Sequence, residues 1–216
     1  MHTNIPGRAP IELIAHYPQF AAYYPNCEMA TKQWFVDNVQ PDWVILDVGA
    51  NIGYYTILFA QLAPQGVVHA VEPTATHLML SKNIKHHKLT NVHVHRDAMG
   101  ASTGRIEDGI FRVWGAAPEV AKYDFITLDD FVKREKIERL DAIKIDVDSY
   151  DFEVLQGAVE TMRRFNPYVM VELNYALAKR QQTAAQALQW LATQGYKDPP
   201  VYGGENYLLK RSICYR

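Results

Sequence analysis

The stretch Val44-Ile45-Leu46-Asp47-Val48-Gly49-Ala50-Asn51-Ile52-Gly53-Tyr54-Tyr55-Thr56 decides the fold. Its first half, together with Trp43, is a continuous apolar run, as expected for a strand covered on both faces. Gly49 and Gly53 bracket a strand-to-helix turn that lets a ligand approach the backbone, and Tyr54–Leu62 follows as a helix ended by Pro64 and Gly66. Val67–Val71 reads as the next strand and closes on Glu72-Pro73. That acid lies about twenty residues past the second glycine, the place of a carboxylate that accepts from ribose hydroxyls. The ligand therefore contains a nucleoside. A nicotinamide dinucleotide would need its pyrophosphate at this helix N-terminus, but the middle glycine of G-x-G-x-x-G is Asn51, whose side chain fills the space. The Asp47 carboxylate would also repel a diphosphate. It suits instead a ligand with an ammonium and a sulfonium, S-adenosylmethionine. The alternative role for Asp47 and Glu72 is helix capping or turn formation.

Outward from this unit the same alternation continues. His77–Leu89 has helical spacing with Thr76 as N-cap, Val92–His95 is a third strand, and Phe125–Ile126 leads to Thr127, the N-cap of Leu128–Lys136. Ala142–Val147 is a fourth core strand, Tyr150–Phe165 a helix stopped by Pro167, Tyr168–Leu173 a fifth strand. Ala184–Thr193 is a helix closed by Gly195, and Tyr207–Arg211 a final strand. Strand, helix, strand, helix at these spacings implies a doubly wound α/β fold, in which ligands bind outside the carboxyl ends of the strands.

The 216 residues fit one domain with an N-terminal extension: a helical and aromatic segment over 1–40 packing on a core over 41–216. Hydrophobic residues make up 48% and charged residues 21%, the composition of a chain that buries its own core. Lys plus Arg number 22 against 24 Asp plus Glu, without the positive excess that a dedicated nucleic-acid binder needs. Apolar runs far shorter than the roughly 20 residues of a membrane span, and the polar Met1–Pro10, lead us to expect a soluble, cytoplasmic protein. Cys27 and Cys214 are the only cysteines and have no metal-ligand spacing, which excludes a cysteine zinc site.

Four segments carry a resemblance to a known family. Leu46-Asp47-Val48-Gly49-Ala50-Asn51-Ile52-Gly53-Tyr54-Tyr55-Thr56, Val71-Glu72-Pro73, Thr127-Leu128-Asp129-Asp130-Phe131 and Ile143-Lys144-Ile145-Asp146-Val147-Asp148 with Phe152-Glu153-Val154-Leu155-Gln156-Gly157 resemble the FkbM-type S-adenosylmethionine-dependent methyltransferases. The resemblance implies a Rossmann-like domain with a mainly parallel seven-stranded sheet. It also implies methylation of a hydroxyl on a sugar, a glycosylated metabolite or another small natural product. Cofactor contacts are implied at Asp47, Gly49, Asn51, Gly53, Tyr54, Thr56, Glu72, Pro73, Asp97 and Ala98. Asp97 is where family members place a residue against the adenine amino group; its other reading is a turn residue before Gly100. Where the family usually has Glu-Gly after Ile-Asp-Val, this chain has Asp148-Ser149, with the serine read as a helix cap.

Asp146 and Asp148 are two apart at the end of a central strand, so they project to the same face, near the transferred methyl group. A hydroxyl is a weak nucleophile until its proton is removed or a metal lowers its pKa, and paired acids serve either route. In magnesium-dependent small-molecule O-methyltransferases, which this segment is similar to, an acid after the fourth strand and one after the fifth share the metal. Asp146 and Glu172 stand at those two places, and such hard oxygen ligands suit magnesium. The plainer alternative is that Asp146 fixes acceptor or cofactor while Asp148 begins the next helix. An N-methyltransferase acting on a peptide amide or amine, or a non-catalytic cofactor-binding partner protein, would use the same loop. His93 and His95 alternate like ligands, although imidazoles on a sheet face more often make ordinary hydrogen bonds. The rings Tyr17, Phe20, Tyr23 and Tyr24, and Trp114 in the otherwise unassigned 102–122 stretch, either contact the acceptor or cover the edge of the sheet.

Overall fold

The computed structural model describes residues 1–110 and 119–211. In chain order these form β1 (His2–Ile5), β2 (Arg8–Glu12), α1 (Met29–Asn38), β3 (Val44–Val48), α2 (Tyr54–Leu62), β4 (Val67–Val71), α3 (His77–His86) and β5 (Val92–His95). Next come β6 (Ala98–Met99), β7 (Gly104–Ile110), β8 (Glu119–Ile126), α4 (Leu128–Arg134), β9 (Ala142–Ile145), α5 (Asp151–Gln156) and α6 (Val159–Phe165). The chain continues through β10 (Tyr168–Glu172), α7 (Ala184–Thr193), β11 (Val201–Tyr202) and β12 (Asn206–Leu209). The seven-stranded sheet has the order β11-β12-β10-β9-β3-β4-β5, parallel from β10 to β5 and antiparallel where β12 joins β10 and β11.

Alternation within the strands divides the core into two layers. Leu46, Val48, Ile143, Ile145, Val169 and Val171 face one layer with α4, α5, α6 and α7, whereas Ile45, Ala142 and Met170 face the other with α1 and α2. On the second side Phe35 of α1 meets Phe59 at 4.6 Å and Tyr55 at 5.8 Å between ring centroids, both edge to face. This places Tyr55 directly over the middle of the sheet.

Several expectations change. The N-terminal segment does not begin as helix: β1 and β2 pair antiparallel across Pro6-Gly7. Pro6-Gly7 is a turn signal set between alternating Thr3, Ile5 and Ile11, Leu13, whose side chains are buried. Thr76 takes a helical backbone and makes no side-chain cap bond. The 102–122 stretch contributes β7 and β8, which with β6 form a three-stranded arm beyond the end of the main sheet. Trp114 lies outside the described residues. The helix expected over Tyr150–Phe165 is two helices, broken at Gly157, where a Cβ would stand 2.2 Å from the Gly100 carbonyl oxygen. Replacing Gly157 with Ala is accordingly expected to cost about 1–3 kcal/mol of stability by overpacking, seen as a lower melting temperature without loss of helical circular dichroism.

His93 and His95 sit on the edge strand β5 and stack with His69 of β4 at 5.4 and 5.3 Å between centroids. His69 Nδ1 and His95 Nε2 share a 3.1 Å hydrogen bond. Burial, and then the charges of His95 and His93, push the His69 pKa down to about 4, opposed by Glu135. The folded state therefore resists a proton that the unfolded chain takes up near pH 6.5, and stability present above that pH is lost as the pH falls toward 4. After discounting for solvent screening the term is about 1–2 kcal/mol. Thermal melts at pH 7.5 and pH 5 should show a smaller acid-induced drop for His69→Phe than for the wild type.

Candidate active site

A cavity of about 310 Å³ opens at the carboxyl ends of β3, β4, β9 and β10, under the N-terminal segment and beside the arm. The turn after β3 is possible only with glycine at its first position. Gly49 has φ +84°, and a Cβ there would fall 1.8 Å from the Asp146 carbonyl oxygen. Gly53, also left-handed, starts α2 against Leu80 and does not line the cavity. Between them Asn51, at φ +50°, gives its N–H to Glu72 Oε2 at 3.0 Å. The other Glu72 oxygen receives the N–H and hydroxyl of Thr74 at 3.0 and 2.5 Å. Glu72 is thus fixed at the cavity wall, and its oxygens keep lone pairs for a further donor.

Asp47 is 1% exposed and accepts from the Thr56 hydroxyl at 2.5 Å through one oxygen, while Oδ1 has no partner. Burial pushes its pKa up to about 6 against the pull of Lys144 and Thr56. Thr56 therefore holds Asp47 and stands behind the lining. Asn51 Oδ1 is likewise buried and unpartnered. Pro73 and Ala98 line the same cavity, as does Asp97, but both Asp97 oxygens are held by the Arg134 guanidinium at 2.7 and 2.6 Å.

The opposite end of the cavity is acidic. Lys144, 2% exposed, projects from β9 toward the α2 layer, donates to Asp146 Oδ2 at 2.7 Å and lies 4.5 Å from the Tyr55 ring centroid. Burial opposes its charge, but Asp146, Glu28 and Asp47 hold its pKa above the ordinary value. Carboxylate oxygens of Glu28, Asp146 and Glu172 lie within 4.8 Å of one another. Glu28 precedes α1 in a left-handed conformation, φ 48°, and is aimed by the Tyr54 hydroxyl and by Asn206 Nδ2 at 3.3 Å. Glu172 accepts from Asn174 Nδ2 at 2.7 Å. Burial raises the pKa of both Glu28 and Glu172, with Asp146 adding to the effect. Asp148 also faces the cavity, and burial followed by the Asp146 charge pushes it up to about 6.

Ser149 is not the helix cap expected of it. It has φ 112°, the region a glycine would occupy, and α5 begins only after Tyr150. The buried Asp151 carboxylate secures this turn by accepting the N–H groups of Val147 and Ser149 at 2.9 and 3.1 Å. The tyrosyl hydroxyl of Tyr55 is buried without a partner, and the rings of Tyr17, Phe20, Tyr23 and Tyr24 line the cavity. Several cavity residues lay outside the sequence expectations, Lys144 and Glu28 among them. Lys144 had a signal, a cation inside an apolar strand; Glu28 had none, because it lies between elements.

Comparison with known proteins agrees with this geometry. The model of the methyltransferase FkbM domain matches residues 47–197. "Methyltransferase 1" of Beauveria bassiana is 26% identical over 182 residues, 68% of this chain and 73% of that protein. The crystal structure of methyltransferase FkbM from Methylobacillus flagellatus superposes with a TM-score of 0.50 at 17% identity, over 63% of this chain and only 34% of that one. A Streptococcus mutans protein described as a methyltransferase and solved in complex with SAH gives 0.51 at 11% identity, over 82% and 92% of the two chains. These structural likenesses are of fold, a class I methyltransferase sheet. With the matched domain covering the glycine turn, Glu72 and the Asp146 segment alike, the chain belongs to the FkbM family of S-adenosylmethionine-dependent methyltransferases.

Proposed function

We propose that this enzyme methylates a hydroxyl of a sugar, a glycosylated metabolite or a similar small natural product. The observation that carries the reading is the polarity of one cavity. A glycine turn with Glu72 stands at one end, and three convergent carboxylates beside half-exposed rings stand at the other. Tyr23 and Tyr175 at the mouth are 55% and 63% exposed, large rings left uncovered where an acceptor would enter. Aromatic faces stack on the apolar faces of sugars and planar metabolites, while carboxylates accept from hydroxyls. The same acidic lining repels a phosphate backbone, which argues against nucleic acid.

The fit to the cofactor rests on unsatisfied atoms. Asp47 Oδ1 and Asn51 Oδ1 are buried acceptors without donors, which a bound ammonium and nucleoside would supply. S-adenosylmethionine supplies an electrophilic methyl group on a sulfonium. Glu72 accepts from the ribose hydroxyls, and the Gly49 turn brings backbone close to the cofactor. The carboxylates of the acidic end and the rings at the mouth would hold an acceptor hydroxyl facing that methyl group. The hydroxyl proton passes to a carboxylate of the acidic end. Lys144 fixes Asp146 through Oδ2 and leaves Oδ1 for the acceptor, which makes Asp146 the base of choice and leaves Asp148 to flank it.

A second reading has a specific support of its own. Glu28, Asp146 and Glu172 form a hard oxygen set of the kind that takes magnesium. There, a cation would lower the pKa of the acceptor hydroxyl and balance the charge of the three acids.

Removing the Glu72 carboxylate as Glu72→Ala should weaken S-adenosylhomocysteine binding by about 1–3 kcal/mol in calorimetry, because charged acceptors of two hydroxyls are lost. Unchanged affinity would assign Glu72 to the loop alone. Asp146→Asn should lower kcat for a glycoside with a free hydroxyl far more than it weakens cofactor binding. Full activity after exhaustive chelation would remove magnesium and leave the base; activity restored only by added magnesium would establish the second reading.

A further inference from the structure

Four side chains from three segments close a network beside the cavity. Tyr150, at the start of α5, packs its ring against Phe125 of β8 at 5.1 Å and lines the cavity with Ile110 of β7 and Met99 of β6. Its hydroxyl donates to Asp108 Oδ2 on β7. Arg180, at the end of the 3-10 turn Tyr175–Arg180 that follows β10, covers the outer face of the same ring with its guanidinium carbon 3.4 Å from the centroid. The guanidinium donates to Asp108 Oδ2 at 2.7 and 3.2 Å and, through Nε, to Glu153 of α5 at 2.7 Å. Asp108 Oδ1 accepts the Gly109 N–H at 2.7 Å, and Glu153 Oε1 accepts from Gln182 at 3.4 Å.

This arrangement exceeds what holding a surface arm in place requires. A guanidinium stacked on a ring and forked between two carboxylates has one orientation, so it fixes the plane of Tyr150 as well as its position. That plane is a wall of the cavity next to Asp97, Ala98 and Met99, at the end of the sheet beyond Glu72. With ribose at Glu72, as in the reading above on which this inference rests, the base of the nucleoside extends toward this wall. We propose that Arg180 is a positioning residue for the adenine end of the cofactor: it holds Tyr150 and the β7–β8 arm as a preformed flat slot.

The test uses the full chain and two ligands, S-adenosylhomocysteine and 5′-methylthioadenosine, the second lacking the amino-acid end. Wild-type binding of S-adenosylhomocysteine in the same titration supports the cofactor reading itself, so its failure is separable from failure of this inference. Arg180→Ala should weaken both ligands by a similar factor, on the order of ten, because the loss lies at the nucleoside they share. Arg180→Lys, which keeps charge but not the flat stack, should recover only part of it. Tyr150→Phe, which keeps the ring and loses its bond to Asp108, should fall between the wild type and Arg180→Ala. Affinities within twofold of wild type for Arg180→Ala, with only the melting temperature lowered, would overturn the proposal, as would a loss confined to S-adenosylhomocysteine. If Arg180→Ala fails to fold, the Lys and Phe variants decide the question by the same ratio of affinities.

Discussion

A lysine ammonium at the centre of a parallel sheet is the constraint around which this molecule is arranged. Removing one charge from water costs several kcal/mol even after relaxation, and Lys144 is almost wholly buried. Asp146 offsets that cost by direct contact, Tyr55 by its ring face, and Asp47 and Glu28 by proximity. The acids would be equally untenable without the lysine. Each group in this end of the cavity is present on condition that the others are, and burial raises the pKa of Glu28 and Glu172 in response.

The geometry of the backbone serves the same centre. Gly49 lets the chain turn against the Asp146 carbonyl with no room to spare, so the end of β3 and the end of β9 are locked at contact distance. Glu28, Asp148 and Ser149 all take left-handed or otherwise positive φ values around the acids, and such conformations in residues with a side chain cost roughly 1–3 kcal/mol each. Strain is concentrated where the charges meet, while the two apolar layers that offset it are built from ordinary Leu, Ile, Val and aromatic packing.

The order of strands and helices from Trp43 onward was legible because each buried strand is a short apolar run and each helix begins beside a cap or turn residue. The glycine turn was legible from spacing alone. The arm was not: Gly104-Arg105-Ile106-Glu107-Asp108-Gly109-Ile110 alternates only weakly, since none of its residues is fully buried. Nor was the break at Gly157, which follows from the approach of Gly100, a residue far away in sequence. Within the site, the acids at strand ends could be named from position, whereas Thr56 and Gly53 lie outside the cavity lining and Asp97 pairs with Arg134. Glu28 could not be foreseen, because what brings it to Asp146 is the path of an irregular segment and no local pattern.

The bond from Asn206 to Glu28 has a consequence for how the protein comes into being. It joins residues 178 positions apart, one before the first long helix and one on the last strand. Contacts of such separation form late, because the entropy of closing the chain must be met before they contribute. On the ribosome, the glycine turn and the first parallel strands are made well before β12, and Glu28 must wait without its amide partner beside partly assembled acids. The acidic end of the cavity is therefore completed after the glycine turn, and a chain stopped short of β11 and β12 would have the turn without the full set of contacts that aim Glu28.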